Sequence, residues 1–234
     1  MKTKINMKTT AIYNKLFTGL AFVIAAISIS SCKKDTIDAS GQFNIKVVNA
    51  AATSGAQSFT LAGNVLVSGG LNYTDASAYI NAPSGKNMTM EFKNAGTSSV
   101  YASGSLYTTN GVNFTVYLAG QGSNARVKAY EDDLGAPNNG QVKIKFIHLS
   151  NNAPSVITIK NSSGDDLVTT LARDISSGYK YVSPGALSVQ FFGTASRDNI
   201  GNFTVADLVA GKIYTLYLTD TATGGVILNK VLHN

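Results

Sequence analysis

A block of sequence occurs twice in this chain, and the repeat constrains the fold more than any other feature. IKVVNA, which begins at Ile45, returns as IKFIHL at Ile144, 99 positions later. GVNFTVYL at Gly111 returns as GKIYTLYL at Gly211, 100 positions later. Between these blocks, YINAPSG at Tyr79 is matched with YVSPG at Tyr181. Matched blocks in the same order and at nearly equal spacing indicate a tandem duplication of one structural unit.

Apolar and polar residues alternate through both copies. Such a period of two places every second side chain on one face, which is typical of half-buried antiparallel strands separated by Gly, Asn, Ser and Asp turns. Each unit has about 90 residues, near the size of an immunoglobulin-like sandwich of ~7 strands. We therefore predict an all-β fold with two tandem immunoglobulin-like antiparallel β-sandwich domains. They cover residues 43–133 and 142–234, and a Gly-, Pro- and Asn-containing linker covers 134–141.

The first 31 residues have the pattern of a secretory signal. Four lysines precede an apolar run over residues 16–29, and no acidic residue occurs before Asp35. The run is shorter than the ~20 apolar residues that a transmembrane helix needs. We predict a signal peptide over residues 1–31 that is removed by cleavage, with either Met1 or Met7 as the start.

Cys32, the only cysteine, follows Ile29, Ser30 and Ser31. This order resembles the lipobox of bacterial lipoproteins, in which the thiol forms a thioether to diacylglycerol. Two or three acyl chains, at ~0.8 kcal/mol per buried methylene, would anchor the protein in a membrane. We predict lipidation at Cys32 and a flexible tether over residues 32–42. The competing interpretations are an ordinary signal peptide with an incidental cysteine, and a weak membrane span.

The net charge limits the classes of partner that the chain is expected to bind. The chain has 19 basic and 13 acidic residues, and four of the basic ones lie within residues 1–31, so 15 against 13 leaves a net charge of +2. This balance lacks the basic excess that phosphate binding needs, and no nucleic-acid partner is predicted. Lys33, next to the lipidated cysteine, favours the outer membrane of a Gram-negative-type envelope. The expected partners are the membrane, through the lipid, and another envelope protein or a glycan.

The second copy opens with a hydrophobic strand that is followed by His148, Ser150, Ala153 and Pro154. This order resembles the start of the domain of unknown function 4397 family, which has a hydrophobic strand followed by His-Ala-Ser-Pro-Asp-Ala-Pro. The positions that depart from it are Leu149, Asn151, Asn152 and Ile157. The first copy diverges further, with Asn49 in place of the histidine. The resemblance implies paired β-sandwiches on secreted or surface proteins and no established activity.

Three side chains are candidates for ligand binding. His148 is in phase with the inward residues of its strand, so it is expected to hold the following loop through ring hydrogen bonds; an active site built around it is the alternative. Tyr117 and Tyr217 occupy equivalent outward positions, where exposed rings could stack on sugars or contact a protein. Packing between neighbouring strands is the other explanation for these tyrosines. No catalytic residue, metal ligand or cofactor is predicted.

These observations predict a lipid-anchored, non-enzymatic envelope protein with a binding, scaffolding or adhesion-like role. The alternative is a glycan-binding module of an envelope system that handles polysaccharides.

Overall fold

The structure, a computed structural model, describes residues 35–234, and the predicted signal peptide and Cys32 lie outside them. The described residues form one compact unit, Asp35–Asn234, with sixteen strands. The strands of the first copy are β1 (Thr36–Asn49), β2 (Gln57–Leu61), β3 (Asn64–Leu71), β4 (Ile80–Lys86), β5 (Met88–Asn94), β6 (Val100–Leu106), β7 (Asn113–Ala119) and β8 (Arg126–Glu131). Those of the second are β9 (Val142–His148), β10 (Val156–Asn161), β11 (Asp166–Ala172), β12 (Lys180–Val182), β13 (Gly185–Gly193), β14 (Asn199–Leu208), β15 (Ile213–Asp220) and β16 (Val226–Leu232).

The two copies have the same topology. The first contains a sheet of order β4-β1-β7-β8, here called its central sheet, and an outer sheet of order β3-β2-β5-β6. The second has a central sheet β12-β9-β15-β16 and an outer sheet β11-β10-β13-β14, which is the same order with eight added to each number. The predicted all-β fold with two tandem sandwiches is confirmed. Each copy has eight strands, one more than expected.

One strand pair in each copy is parallel, where the alternation alone predicts antiparallel pairing. β1 lies parallel to β7, with Ile45 opposite Phe114, and β9 lies parallel to β15, with Ile144 opposite Tyr214. Parallel strands need a long crossover connection, and the five strands between the first and seventh strands of each unit supply it.

Each sandwich has its own apolar core between its central and outer sheets. In the first copy, Phe43, Ile45 and Val47 of β1 pack against Phe59 and Phe92 of the outer sheet. In the second copy the corresponding core contains Val142, Ile144, Phe146, Ile159 and Phe191. These side chains belong to the alternating runs, because a period of two directs them to the face that the other sheet covers.

The opposite faces of the two central sheets are buried as well. All seven residues of β9 and all eight of β15 are buried, which half-buried strands would not be. A third apolar cluster joins the copies, and it consists of Val48, Ala50, Tyr117, Ala119, Ile147, Leu149, Tyr217 and Val231. The central sheets therefore face each other, and each separates a core from the contact between the copies.

The predicted tether is largely part of the fold. β1 begins at Thr36, which lies opposite Lys86, and Ile37 lies opposite Gly85. Asp35 accepts hydrogen bonds from the backbone N–H and the hydroxyl of Thr89, both at 2.9 Å. The prediction that 36–42 is flexible is wrong because β4 has seven residues, against three in its counterpart β12, and its extra length pairs with the start of the chain.

Candidate functional site

His148 ends β9 and is fully buried. Its Nε2 lies 2.8 Å from the carbonyl oxygen of Pro154, so Nε2 carries the proton and donates it. Burial lowers the pKa of the ring below its ordinary 6.5, which keeps the ring neutral. The prediction of an inward histidine that holds the following loop is confirmed for one ring nitrogen. Among the described residues, no group bonds Nδ1.

Asn49 occupies the equivalent position at the end of β1. Its side-chain amide donates to Ser54 Oγ at 2.9 Å and to the carbonyl oxygen of Leu71 at 2.9 Å. Its Oδ1 accepts from the backbone N–H of Ala51 at 3.1 Å. The two copies thus use different side chains for one structural task, which is to fix the loop after the first strand.

Tyr117 and Tyr217 are not exposed, and the prediction that they form a ligand-binding surface is wrong. Both side chains are 0 % exposed, and their ring centroids are 5.4 Å apart. Each points away from the core of its own sandwich, as the alternation indicates. The opposite copy covers that face, so a sugar has no access to either ring.

The contact between the copies is reciprocal. Lys46 of β1 donates from Nζ to the carbonyl oxygen of Leu232 in β16, at 2.7 Å. Lys145 of β9 donates to the carbonyl oxygen of Glu131 in β8, also at 2.7 Å. The two lysines are equivalent, and so are the two acceptors at the ends of the last strands. This exchange of equivalent contacts is the rule in a two-fold homodimer, here built within one chain.

Asp132 and His233 face each other across this contact. Each is the first residue after the last strand of its copy, and their backbone N–H groups donate to the equivalent carbonyls of Asn113 and Ile213. His233 Nε2 lies 3.8 Å from Asp132 Oδ1, and both side chains are completely buried. Equivalent positions therefore hold a carboxyl group in one copy and an imidazole in the other.

A chain of hydrogen bonds links these two residues. Asp132 accepts from Thr115 at 2.6 Å, Lys145 at 2.8 Å and Tyr79 at 2.9 Å. The Tyr79 hydroxyl lies 2.8 Å from His233 Nδ1, and Thr215 Oγ1 lies 2.8 Å from Nε2. Because Tyr79 donates its single proton to Asp132, Nδ1–H of His233 donates to Tyr79 and Nε2 accepts from Thr215.

Burial is the main cause that lowers the pKa of His233 to about 4. Asp132 acts in the opposite direction, and Lys145 and Lys46 add to the lowering. Burial also raises the pKa of Tyr79, followed by the charge of Asp132. These shifts keep the imidazole neutral and the phenol protonated, as the hydrogen-bond directions require.

The structure corrects the match of Tyr79 with Tyr181. Ile80 lies opposite Ile45, and Lys180 lies opposite Ile144, so the counterpart of Tyr79 is Tyr179. The two rings have equivalent roles: Lys46 lies 4.8 Å from the centroid of Tyr79, and Lys145 lies 5.3 Å from that of Tyr179. Tyr181 is instead exposed.

These groups form a closed network whose members bond one another. Lys145 and Asp132 make an ion pair at 2.8 Å with side chains 3 % and 0 % exposed. Within residues 35–234, no group of three or more His, Cys, Asp or Glu side chains is placed to hold a metal ion. The network holds the central sheet of the first copy against that of the second. Sequence reasoning missed Asp132 and His233, although Lys, Thr and Tyr recur at the same outward positions of both copies and signal a shared buried face.

Two of the depressions on the described part of the chain have different characters. One, of about 300 Å³, lies near the start of the described residues and is mainly apolar; its lining includes Ile37, Leu61, Leu66, Ala82, Pro83 and Met88. Another, of about 480 Å³, lies on the outer sheet of the second copy; its lining includes Lys160, Asp166, Phe192 and Arg197.

Comparison with known proteins gives one family match. A family model described as "Domain of unknown function (DUF4397)" matches residues 43–159. The match spans the first copy and extends through β9 into β10, and the remainder of the second copy lies beyond it. No curated protein matches the chain.

Three solved structures match the chain at low similarity. The C-terminal domain of AlgF from P. aeruginosa has 17% identity and a TM-score of 0.27, covering 41% of this chain and 99% of its own. A family CBM26 module of Eubacterium rectale Amy13K, solved with maltoheptaose, has 12% identity and a TM-score of 0.29, covering 81% and 97%. The fimbrial anchor protein Mfa2 from Porphyromonas gingivalis has 7% identity and a TM-score of 0.19, covering 82% and 99%.

In the part of the chain from residue 35 onward, no helix has the length and apolar character needed to cross a membrane.

Proposed function

The chain belongs to the family described as Domain of unknown function (DUF4397), and from that premise we propose that it is a lipid-anchored cell-envelope protein with a non-enzymatic binding or scaffolding role. The proposed anchor is Cys32 in an outer membrane of Gram-negative type. The proposed partners are the membrane, through the lipid, and a second envelope protein.

Two features support the anchor. The order of lysines, apolar run, Ile29-Ser30-Ser31 and Cys32 matches what lipidation requires. The fold begins soon afterwards, since the side chain of Asp35 already bonds Thr89. The sandwiches are therefore joined to the proposed lipid by a short piece of chain.

One observation carries the non-enzymatic role. The titratable groups that the fold gathers, Asp132, Lys145 and His233, bond one another or their neighbours in a sealed contact between two sheets. Used in this way, they fix the arrangement of two sandwiches and leave the outer sheets as the surfaces for a partner. The alternative of a glycan-binding module loses its proposed surface, because Tyr117 and Tyr217 are buried.

Labelling with a palmitate analogue tests the anchor. We expect the wild-type protein to incorporate the label and to fractionate with membranes, and Cys32→Ala to lose both properties. Lys33→Ala, a neighbouring change that leaves the thiol, is the matched control and should still be labelled. Equal labelling of wild type and Cys32→Ala, or an unlabelled wild type, would contradict the anchor.

A further inference from the structure

The start of the described chain is held against the first sandwich. Thr36 and Ile37 are paired with Lys86 and Gly85 at the end of β4, and Asp35 makes two hydrogen bonds to Thr89. The second copy has no such addition, since β12 has only three residues and β9 begins at Val142. The extended β1 and β4 are therefore specific to the copy next to the proposed anchor.

This pairing limits the distance from the lipid to the fold. Only three residue steps separate Cys32 from Asp35, and a fully extended chain spans at most ~3.3–3.6 Å per residue. The Cα atom of an acylated Cys32 therefore lies within about 11 Å of that of Asp35. This inference rests on the proposed lipidation and concerns the surface of the first sandwich that so short a connection brings to the membrane.

The surface beside this point is apolar. Ile37 and Tyr107 are 43 % and 59 % exposed. Ile37 lines the 300 Å³ apolar depression together with Leu66 and Pro83. It also lines an adjoining depression, which contains Tyr107 and Lys86. We call Ile37, Leu66, Pro83 and Tyr107 the anchor patch.

We propose that the anchor patch lies against the lipid bilayer and that its side chains enter the headgroup region. The acyl chains of Cys32 must lie in the bilayer, and the connection of at most about 11 Å brings this end of the first sandwich to its surface. Apolar side chains bordered by a tyrosine suit the membrane–water interface, because the ring of tyrosine is apolar and its hydroxyl can stay hydrated. Lys33, Lys34 and exposed Lys86 supply charges that attract anionic headgroups.

The second copy provides a matched control position. Tyr107 is the first residue after β6, and Val209 is the first residue after the equivalent strand β14. Both are more than half exposed. Val209 has no lipidated residue before its strand, so a probe there reports an equivalent loop without the anchor.

Site-directed spin labelling on the acylated protein tests the proposal. Because Cys32 is the only cysteine and its thiol would be used for lipid, a single introduced cysteine takes the label. Tyr107→Cys, Ile37→Cys and Val209→Cys would be labelled and placed in phosphatidylethanolamine–phosphatidylglycerol vesicles. We expect collisions with a water-soluble nickel reagent to fall severalfold at positions 107 and 37 relative to 209, and collisions with oxygen to rise. The same changes combined with Cys32→Ala, without vesicles, give the exposure of each label in water.

Mass spectrometry of the same samples separates the two possible failures. Nickel accessibility at 107 and 37 equal to that at 209, on protein with acylated Cys32, would overturn the anchor patch and leave the lipid anchor intact. Unacylated Cys32 would overturn the proposed anchor and the patch with it. Protection at 107 and 37 with exposure at 209 supports both.

Discussion

At the scale of single residues, the most consequential group is Asp132. Its carboxylate is completely buried, accepts three hydrogen bonds and pairs with Lys145. A buried ion pair is weak evidence for net stability, because removing two charges from water costs about as much as their attraction returns. Loss of one partner is different, since it leaves the other charge buried without compensation.

Asp132→Asn is therefore expected to lower the free energy of unfolding by about 3–5 kcal/mol, because the charge of Lys145 stays buried. The matched control is Asp166→Asn, which removes a similarly close partner from the partly exposed Lys160 and should cost at most about 1 kcal/mol. Urea unfolding of both variants measures the difference. Equal losses would show that the buried charge does not dominate.

The burial of His233 makes the free energy of unfolding fall as the pH is lowered. Burial lowers the pKa of its imidazole from 6.5 to about 4, so between these values the unfolded chain binds a proton that the folded chain does not. Stability from this group is complete above pH 6.5 and falls as the pH drops towards 4. From pH 7 to pH 5, the wild type should lose about 2 kcal/mol more than His233→Gln. Urea midpoints at both pH values measure this, and parallel losses in the two proteins would contradict it.

The residues of this network could be predicted only in part. The inward direction of His148 follows from its phase with Ile144 and Phe146. The burial of Tyr117 and Tyr217 does not, because a period of two distinguishes the faces of a strand but not what covers the second face. A polar face containing Lys and Thr has the same pattern whether it meets water or another sheet.

At the scale of elements, the extended pairing of β1 with β4 is the feature that distinguishes the two copies. It depends on Gly85, because a Cβ atom there would overlap the carbonyl oxygen of Thr36. Only glycine allows the two strands to approach so closely at this point. A single methyl group is therefore enough to test how the start of the chain is held.

Gly85→Ala is expected to weaken the attachment of residues 36–42 by about 1–3 kcal/mol, the usual cost of overpacking. Hydrogen exchange of those amides should accelerate, with the strands β9–β16 unchanged. Gly178→Ala is the control, because a Cβ atom there meets no other group. Unchanged exchange in Gly85→Ala would mean that the start of the chain is held by other contacts.

The alternation of apolar residues was sufficient to predict strands, since it records which face meets a core. The strand at Thr36 escaped prediction because TIDASGQ lacks that alternation. Its pairing comes from the extra length of β4, about 45 residues later. Local sequence does not contain that information.

At the scale of the whole molecule, the contact between the central sheets joins two complete sandwiches. It has an apolar centre around Tyr117 and Tyr217 and the reciprocal lysine bonds of Lys46 and Lys145. Arg126 of the first copy adds an ion pair with Asp174 of the second at 2.7 Å. The connecting residues 134–141 contain no strand. The copies are therefore held mainly by their surfaces.

A protease site placed at Asn138 and Asn139 tests this directly. After cleavage, the two fragments should elute together in gel filtration, because the buried contact survives the cut. Adding Ile147→Asp, which places a charge in the apolar cluster, should separate them, whereas Ile175→Asp at an exposed position should not. Fragments that separate without the added charge would show that the connection, rather than the contact, holds the copies together.

The facing positions of Asp132 and His233 have an evolutionary consequence. In a dimer of identical subunits, every substitution appears twice, so an acidic residue here would confront its own copy across the axis. Once both subunits are encoded in one gene, each side can mutate alone. The chain here is free of that constraint, because Asp132 and His233 are separate residues of one chain and place unlike side chains 3.8 Å apart. At the other facing positions the two copies share lysine, threonine and tyrosine.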